Sequence, residues 1–356
     1  MKAIRKRLQE ISKKSRTISD PALILVWEPG SAPEDKLKTC CRNAPLILSL
    51  SCITDCCKPL YVCVVNNKDF IITEMTMNNS MYPCLTISGK IAEAADFYLE
   101  TFVNGKIVQT SHYVIQLELS GQKFMLLNEG PQSSPNPSIS FMVISETEEE
   151  TIKYWEKLAA SGQVLMPLDS YDWSSKYGWI QDRYGVSWQL MTGSRDDTPQ
   201  RICPSLMFTG TGAGKAAEAI HFYTRLFPKS HIQGILNYKE GEGDQTTFVK
   251  HAQFYVNDFI MMAMDSSANH DFKFNDAISI VVECETQSEI DRYWEELTAD
   301  GGMEVVCGWL TDKYGISWQI IPASLGELVS DPERAPRVMN ALMKMKKLNI
   351  ADLENA

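Results

Sequence analysis

The chain has 356 residues, enough for two or three domains of ordinary size. Its 44% hydrophobic and 22% charged residues match a globular protein and exclude a fibrous or low-complexity chain. No apolar run reaches the ~20 residues that a membrane helix needs. The net charge of −11 is split, with residues 1–80 near +4 and the rest near −15, so the acidic body argues against nucleic acid as a partner.

Residues 1–18 hold seven Lys or Arg against Glu10, with Ile4, Leu8 and Ile11 at helical spacing. This predicts a short basic amphipathic helix on the surface. No apolar stretch of the signal-peptide kind follows it, so a cytoplasmic protein with reduced thiols is expected, with no membrane partner. Ala22–Trp27, Pro45–Ile53, Leu60–Val65 and Phe70–Thr73 read as short strands. Six of the ten cysteines lie between Cys40 and Cys63, in a region without His, and their spacings fit no zinc pattern well. Residues 1–80 therefore stand as an N-terminal segment of unknown fold, and neither metal nor cofactor is expected.

From Tyr82 the chain says everything twice. Pro83–Gly89 and Pro204–Gly210 read as strands, each leading into a helix whose apolar stripe is Ile91, Ala95, Tyr98 and Phe102 or Ala216, Ile220, Tyr223 and Phe227. Strands about His231–Tyr238, Thr246–Val256 and Phe259–Met264 follow in the second copy. Between Tyr98 and Tyr154 there are 14 fewer residues than between Tyr223 and Tyr293, which predicts the loss of most of a hairpin from the first copy. Next come a strand, Ser138–Ile144 or Ala277–Glu283, and a helix opened by a capping box, Thr147-x-x-Glu150 or Thr286-x-x-Glu289. The first copy then gains nine residues.

Each copy closes on a shared phrase. Residues 177–190 and 307–320 are identical at eight of fourteen positions, including Gly178/Gly308, Trp179/Trp309, Asp182/Asp312, Ser187/Ser317, Trp188/Trp318 and Gln189/Gln319. Asp-Arg/Lys-Tyr-Gly is a turn signal. The following β-branched and aromatic run reads as a strand, on which Ser187 and Gln189 share one face and Trp188 the other. Two copies of one domain are implied, at 81–195 and 202–325, with a helical tail over 326–356. In that tail Asp331-Pro332 reads as a cap with Pro at the first helical position.

Strand–helix–three strands, twice per domain, resembles the vicinal-oxygen-chelate (glyoxalase/bleomycin-resistance/dioxygenase) superfamily. The phrases Ala-Glu-Ala-Ile-His-Phe-Tyr, Phe272–Ser279, Arg292–Leu297 and Cys307–Gly315 look like its PhnB-like branch, often labelled as a 3-demethylubiquinone-9 3-methyltransferase domain. The resemblance covers about 82–356 and is strongest over 203–325. It implies an α+β chain of two tandem glyoxalase-like domains, each of paired βαβββ modules forming a curled sheet cup, with the two domains paired as a pseudo-dimer. In metal-dependent members, His, Gln and Glu on first and last strands point into the cup. Here those slots fall on Pro83, Pro204, Gln189 and Gln319, which argues against the family's metal chemistry and places both Gln side chains in the cups.

Two signals of other chemistries fail on their surroundings. Gly210–Lys215 resembles a phosphate loop but is followed by Ala216 rather than Ser or Thr. Neither strand-to-helix turn carries the glycine fingerprint of a Rossmann unit, so no S-adenosylmethionine site is expected. The expected function is small-molecule binding or sequestration. The alternative is a glyoxalase- or dioxygenase-type enzyme working through the second domain with Glu283, Asp265 and His251. Gln319, Ser317, Trp309, Asp265, Glu283 and His251 are the expected ligand-contacting residues, all in the second copy because the first has lost cup wall.

Overall fold

The computed structural model describes residues 80–356, apart from 129, 131, 132, 195 and 197, and the backbone of three strands further upstream. Those strands, β1 (Ile24–Trp27), β2 (Leu60–Asn66) and β3 (Asp69–Met75), form an antiparallel sheet in chain order. The expected basic helix, the expected strand at Pro45–Ile53 and the cysteines before Cys63 lie outside the described residues. Residues 1–78 and 79–356 are two compact units.

The second unit is four copies of one module, each a strand, a helix and a three-stranded meander. The first has β4 (Met81–Thr86), α1 (Ile91–Thr101), β5 (Lys106–Thr110), β6 (Val114–Leu119) and β7 (Gln122–Leu127). The second has β8 (Ile139–Ser145), α2 (Glu148–Ala159), β9 (Gln163–Tyr171), β10 (Ser174–Gln181) and β11 (Ser187–Thr192). The third has β12 (Ile202–Phe208), α3 (Ala216–Leu226), β13 (His231–Asn237), β14 (Val249–Val256) and β15 (Phe259–Asp265). The fourth has β16 (Ile278–Cys284), α4 (Gln287–Thr298), β17 (Met303–Glu304), β18 (Trp309–Thr311) and β19 (Ser317–Pro322). Three short helices end the chain: α5 (Leu325–Ser330), α6 (Ala335–Leu342) and α7 (Ile350–Glu354).

The helices arise as their sequences require. Thr147 and Thr286 accept from the amides of Glu150 and Glu289, and at α4 the Glu289 carboxylate closes the box by accepting from the Thr286 amide. Ala95 and Tyr98 of α1, and Ile220 and Tyr223 of α3, are buried as the stripes predict. The tail differs from its expectation. Asp331 accepts from the amides of Glu333 and Arg334, and the helix begins only at Ala335.

Modules pair across the repeats. One eight-stranded sheet has the order β13-β14-β15-β12-β8-β11-β10-β9, and the other β17-β18-β19-β16-β4-β7-β6-β5. The first sheet thus joins the opening half of repeat two to the closing half of repeat one, through antiparallel β12 and β8, with Ser205 opposite Ser140. The second joins β4 to β16, with Cys84 opposite Ser279. Two loop contacts mark the approximate twofold: Asn136 donates to the Lys273 carbonyl, and its counterpart Asn275 to the Ser134 carbonyl.

The expected loss of a hairpin does not occur. All three meander strands, β5–β7, are present in the first module. The deficit comes from shorter strands and a β5–β6 connection of residues 111–113, against 238–248 between β13 and β14. The nine extra residues lengthen the β9–β10 hairpin, whose strands have nine and eight residues where β17 and β18 have two and three.

Candidate functional site

The shared phrase is built on its aspartate. Asp182 accepts from the Tyr184 and Val186 amides at 2.8 and 3.0 Å through one oxygen. Its other oxygen accepts from the Tyr98 hydroxyl at 2.9 Å and the Trp188 indole at 2.8 Å. Asp312 repeats all four bonds with Tyr314, Ile316, Tyr223 and Trp318. Burial raises both carboxyls above their ordinary range, opposed by these donors. Each aspartate thus ties a turn to a helix and to the strand that follows, a structural role that the turn signal in the sequence did not reveal. The indoles of Trp188 and Trp318 lie in the helix-side core, so Gln189 and Gln319 point to the opposite, cup face.

The same alternation corrects the first-strand slots. Met81 and Leu85 belong to the helix-side core, so Pro83 between them is on that side, and Tyr82 and Cys84 face the cup. On β12, Cys203 likewise faces the cup, and by register so do Ser205 and Met207, whereas Pro204 does not. The donors on these strands are therefore Gln, Ser and thiol groups, and the Glu283 carboxylate on the second cup's face is already bonded to Tyr82 and Lys123. Among the described residues no group of three or more His, Cys, Asp or Glu is placed to hold an ion. The residues do not fit the superfamily's metal.

In the first sheet's cup, the Tyr177 hydroxyl donates to Gln189 Oε1 at 2.7 Å, and Gln189 Nε2 donates to Ser140 Oγ at 2.8 Å. The Trp179 indole donates to Ser187 Oγ at 2.6 Å. Ser205, 1% exposed, has a hydroxyl with no hydrogen-bond partner. Around these lie Met142, Met262, Ile144 and Ile260, with Met166, Met191, Tyr171 and Tyr255 partly exposed above them. Among the described residues this apolar cluster is drawn from the sheet's own strands.

The second sheet's cup is filled by its own chain. Tyr82, Cys84, Met125 and Val281 pack under Leu328, Val338, Leu342, Leu348 and Leu353 of the tail. The amides of Cys307 and Gly308 donate to the Met345 and Lys346 carbonyls at 2.7 and 2.8 Å. Gly308 sits at φ +81, and a Cβ there would lie 3.0 Å from Leu348 Cδ1. Gly178, its twin, has a different reason: a Cβ would lie 2.5 Å from the Trp155 ring. Burial pushes the Cys84 thiol up to about 12, so it is no nucleophile at neutral pH.

The six expected ligand contacts do not form one site. Gln319, Ser317, Trp309 and Glu283 belong to the second sheet, and Asp265 and His251 to the first. Gln319 donates to Ser279 Oγ at 2.9 Å beneath the tail, and Trp309 pairs with it across the strands. Glu283 accepts from Tyr82 and Lys123 at 2.7 and 2.6 Å. Asp265 accepts from the amides of Gly214, Ala216 and Val249, so its carboxylate already occupies the amides of the glycine-rich turn. His251 is half-buried on β14, and desolvation lowers its pKa, favouring the neutral ring. Ser317 lines a separate cavity of about 690 Å³ with Thr311, Lys313 and the loop 273–276.

A search of curated proteins found no match. The PhnB protein from Bacillus cereus is 37% identical over 32% of this chain and 98% of its own, with a TM-score of 0.31. Glyoxalase I from Zea mays is 12% identical over 70% of this chain and 95% of its own, with a TM-score of 0.49. The profile of the 3-demethylubiquinone-9 3-methyltransferase family matches twice, at residues 79–191 and 200–321. With both repeats matched over more than half its length, the chain belongs to that PhnB-like family of glyoxalase-fold proteins.

Proposed function

We propose that the chain is a small-molecule binding protein whose ligand occupies the cup of the first sheet. The observation that carries this reading is the Ser205 hydroxyl, buried without a partner on the cup floor. A buried hydroxyl left unpaired costs about 1–3 kcal/mol, and a ligand group bonding to it recovers that cost. Methionine and tyrosine around it offer polarizable, adaptable contacts. The faces of Tyr171, Tyr177 and Tyr255 suit a flat apolar body. The neutral His251 ring and the lack of carboxylates on this floor favour an uncharged ligand. The Gln319, Ser317 and Trp309 roles pass to their twins Gln189, Ser187 and Trp179.

The reading is tested by a thermal-shift screen of uncharged aromatic metabolites and antibiotics, followed by calorimetry on Ser205→Ala and Gln189→Ala. Binding weakened by both and untouched by Gln319→Ala supports it. Loss on Gln319→Ala alone, or stoichiometric metal in the purified protein, would overturn it.

A further inference from the structure

A second site, independent of the cup, lies at the edge where the two sheets meet. Its cavity, about 690 Å³, is walled by the turn 209–215 after β12, the loop 273–276 before β16 and the turn 311–317 of the closing phrase. Phe274 and Tyr314 give it an aromatic side, and the Phe208 ring stands 5.0 Å from that of Phe274.

The charges in its lining nearly cancel. Lys215 and Lys313 pair with Glu218 at 3.4 and 3.8 Å, and Lys313 also with Asp300 at 3.6 Å. Two lining groups are left over. Among the described residues, the Lys273 ammonium has no carboxylate within ion-pair distance. Asp276 Oδ1 is buried and has no hydrogen-bond partner. A half-buried carboxylate without a donor attracts an incoming N–H or ammonium. An exposed ammonium and a half-buried carboxylate that line one cavity, neither paired among the described residues, complement a ligand bearing both an anion and a donor.

The site has no twin. The residues that correspond to Lys273, Phe274 and Asp276 are Ser134, Pro135 and Pro137, and the first repeat lacks the four-residue insertion in the glycine-rich turn. The insertion and the charged pair therefore occur together, on one side of the approximate twofold only.

We propose that this cavity binds a free amino acid, its carboxylate toward Lys273 and its ammonium toward Asp276. The twenty common L-amino acids, each with its matching amine and its matching carboxylic acid, are titrated against the full chain by thermal shift and calorimetry. At least one amino acid should raise the melting point while its amine and acid do not. Asp276→Asn and Lys273→Gln should each weaken that binding by about tenfold or more, the loss of one charge-assisted bond. Ser205→Ala, which alters the cup, should leave it unchanged. No binding by any amino acid, equal binding of the acid alone, or binding that survives both variants would each overturn the assignment.

Discussion

The two cups start from the same closing phrase and end in opposite states. In the first, Gln189 is held by Tyr177 and Ser140 on a floor made, among the described residues, of the sheet's own side chains. In the second, Cys307 stands where Tyr177 stood, the hairpin strands shrink to two and three residues, and the tail packs five Leu and Val side chains onto the floor. Burying each such side chain contributes about 1.5–3 kcal/mol. The second cup has therefore become core. What the difference teaches is that the glutamine and serine of the closing phrase do not by themselves make a site. What lies beyond the phrase, here the tail, turns its cup face into core.

The comparison can be broken most severely at what the cups share. Asp182→Ala and Asp312→Ala each strand two amides, a tyrosine hydroxyl and an indole. Each should cost about 3–5 kcal/mol in urea unfolding, and the losses should be similar, since the bonding is the same on both sides. A loss at only one would show that the two corners are not equivalent.

Next in size is the tail. Leu348→Ala and Leu342→Ala should each cost about 2–4 kcal/mol, because they leave voids under a covered face. Met191→Ala, at the partly exposed rim of the first cup, should cost less than about 1 kcal/mol. Equal losses would mean that both cups are equally filled. Gly308→Ala should also destabilise, by about 1–3 kcal/mol, because it combines a left-handed backbone with the approach of Leu348.

A smaller effect separates the glutamines. Tyr177→Phe removes one hydrogen bond to Gln189 and should cost about 1 kcal/mol, with weaker binding of any first-cup ligand. Gln319→Ala should lower stability by a similar amount without changing binding.

The smallest expected effect is in pH. Burial lowers the folded pKa of His251, so the stability it supports is present above the unfolded value near 6.5 and is lost as pH falls through the lower folded value. The melting point of the wild type should drop on acidification through that window, and the drop should be shallower in His251→Gln. An unchanged slope would mean that His251 is solvated in the folded protein.

Much of this architecture is legible in the chain. The repeated stripes on α1 and α3, the N-cap threonines of α2 and α4 and the alternation in the closing phrase each have a local cause, so strand, helix and face follow from periods of 2 and 3.6, whereas the expected box at α2 is only half formed because Glu150 bonds Tyr154 and Arg201. The family phrases add the module type. The aspartate corners were half legible: Asp182 and Asp312 were evident as turn residues, but their bonds to Tyr98 and Tyr223 join positions more than eighty residues apart.

Other features depended on the tertiary structure. Repeats of equal shape offer equal edges, so β8 can pair with β12 as well as with β4, and no local signal distinguishes the partner. That choice separated His251 and Asp265 from Gln319. The tail's destination was equally hidden, because an apolar stripe states that a face will be buried without naming the surface that buries it. Sequence by itself determined the modules and the alternation of faces along each strand, but not that Pro83 and Pro204 turn away from the cups. The folded chain decided which modules share a sheet and which cup the tail fills, because burial and pairing energies depend on the neighbours that each strand and helix finds in space.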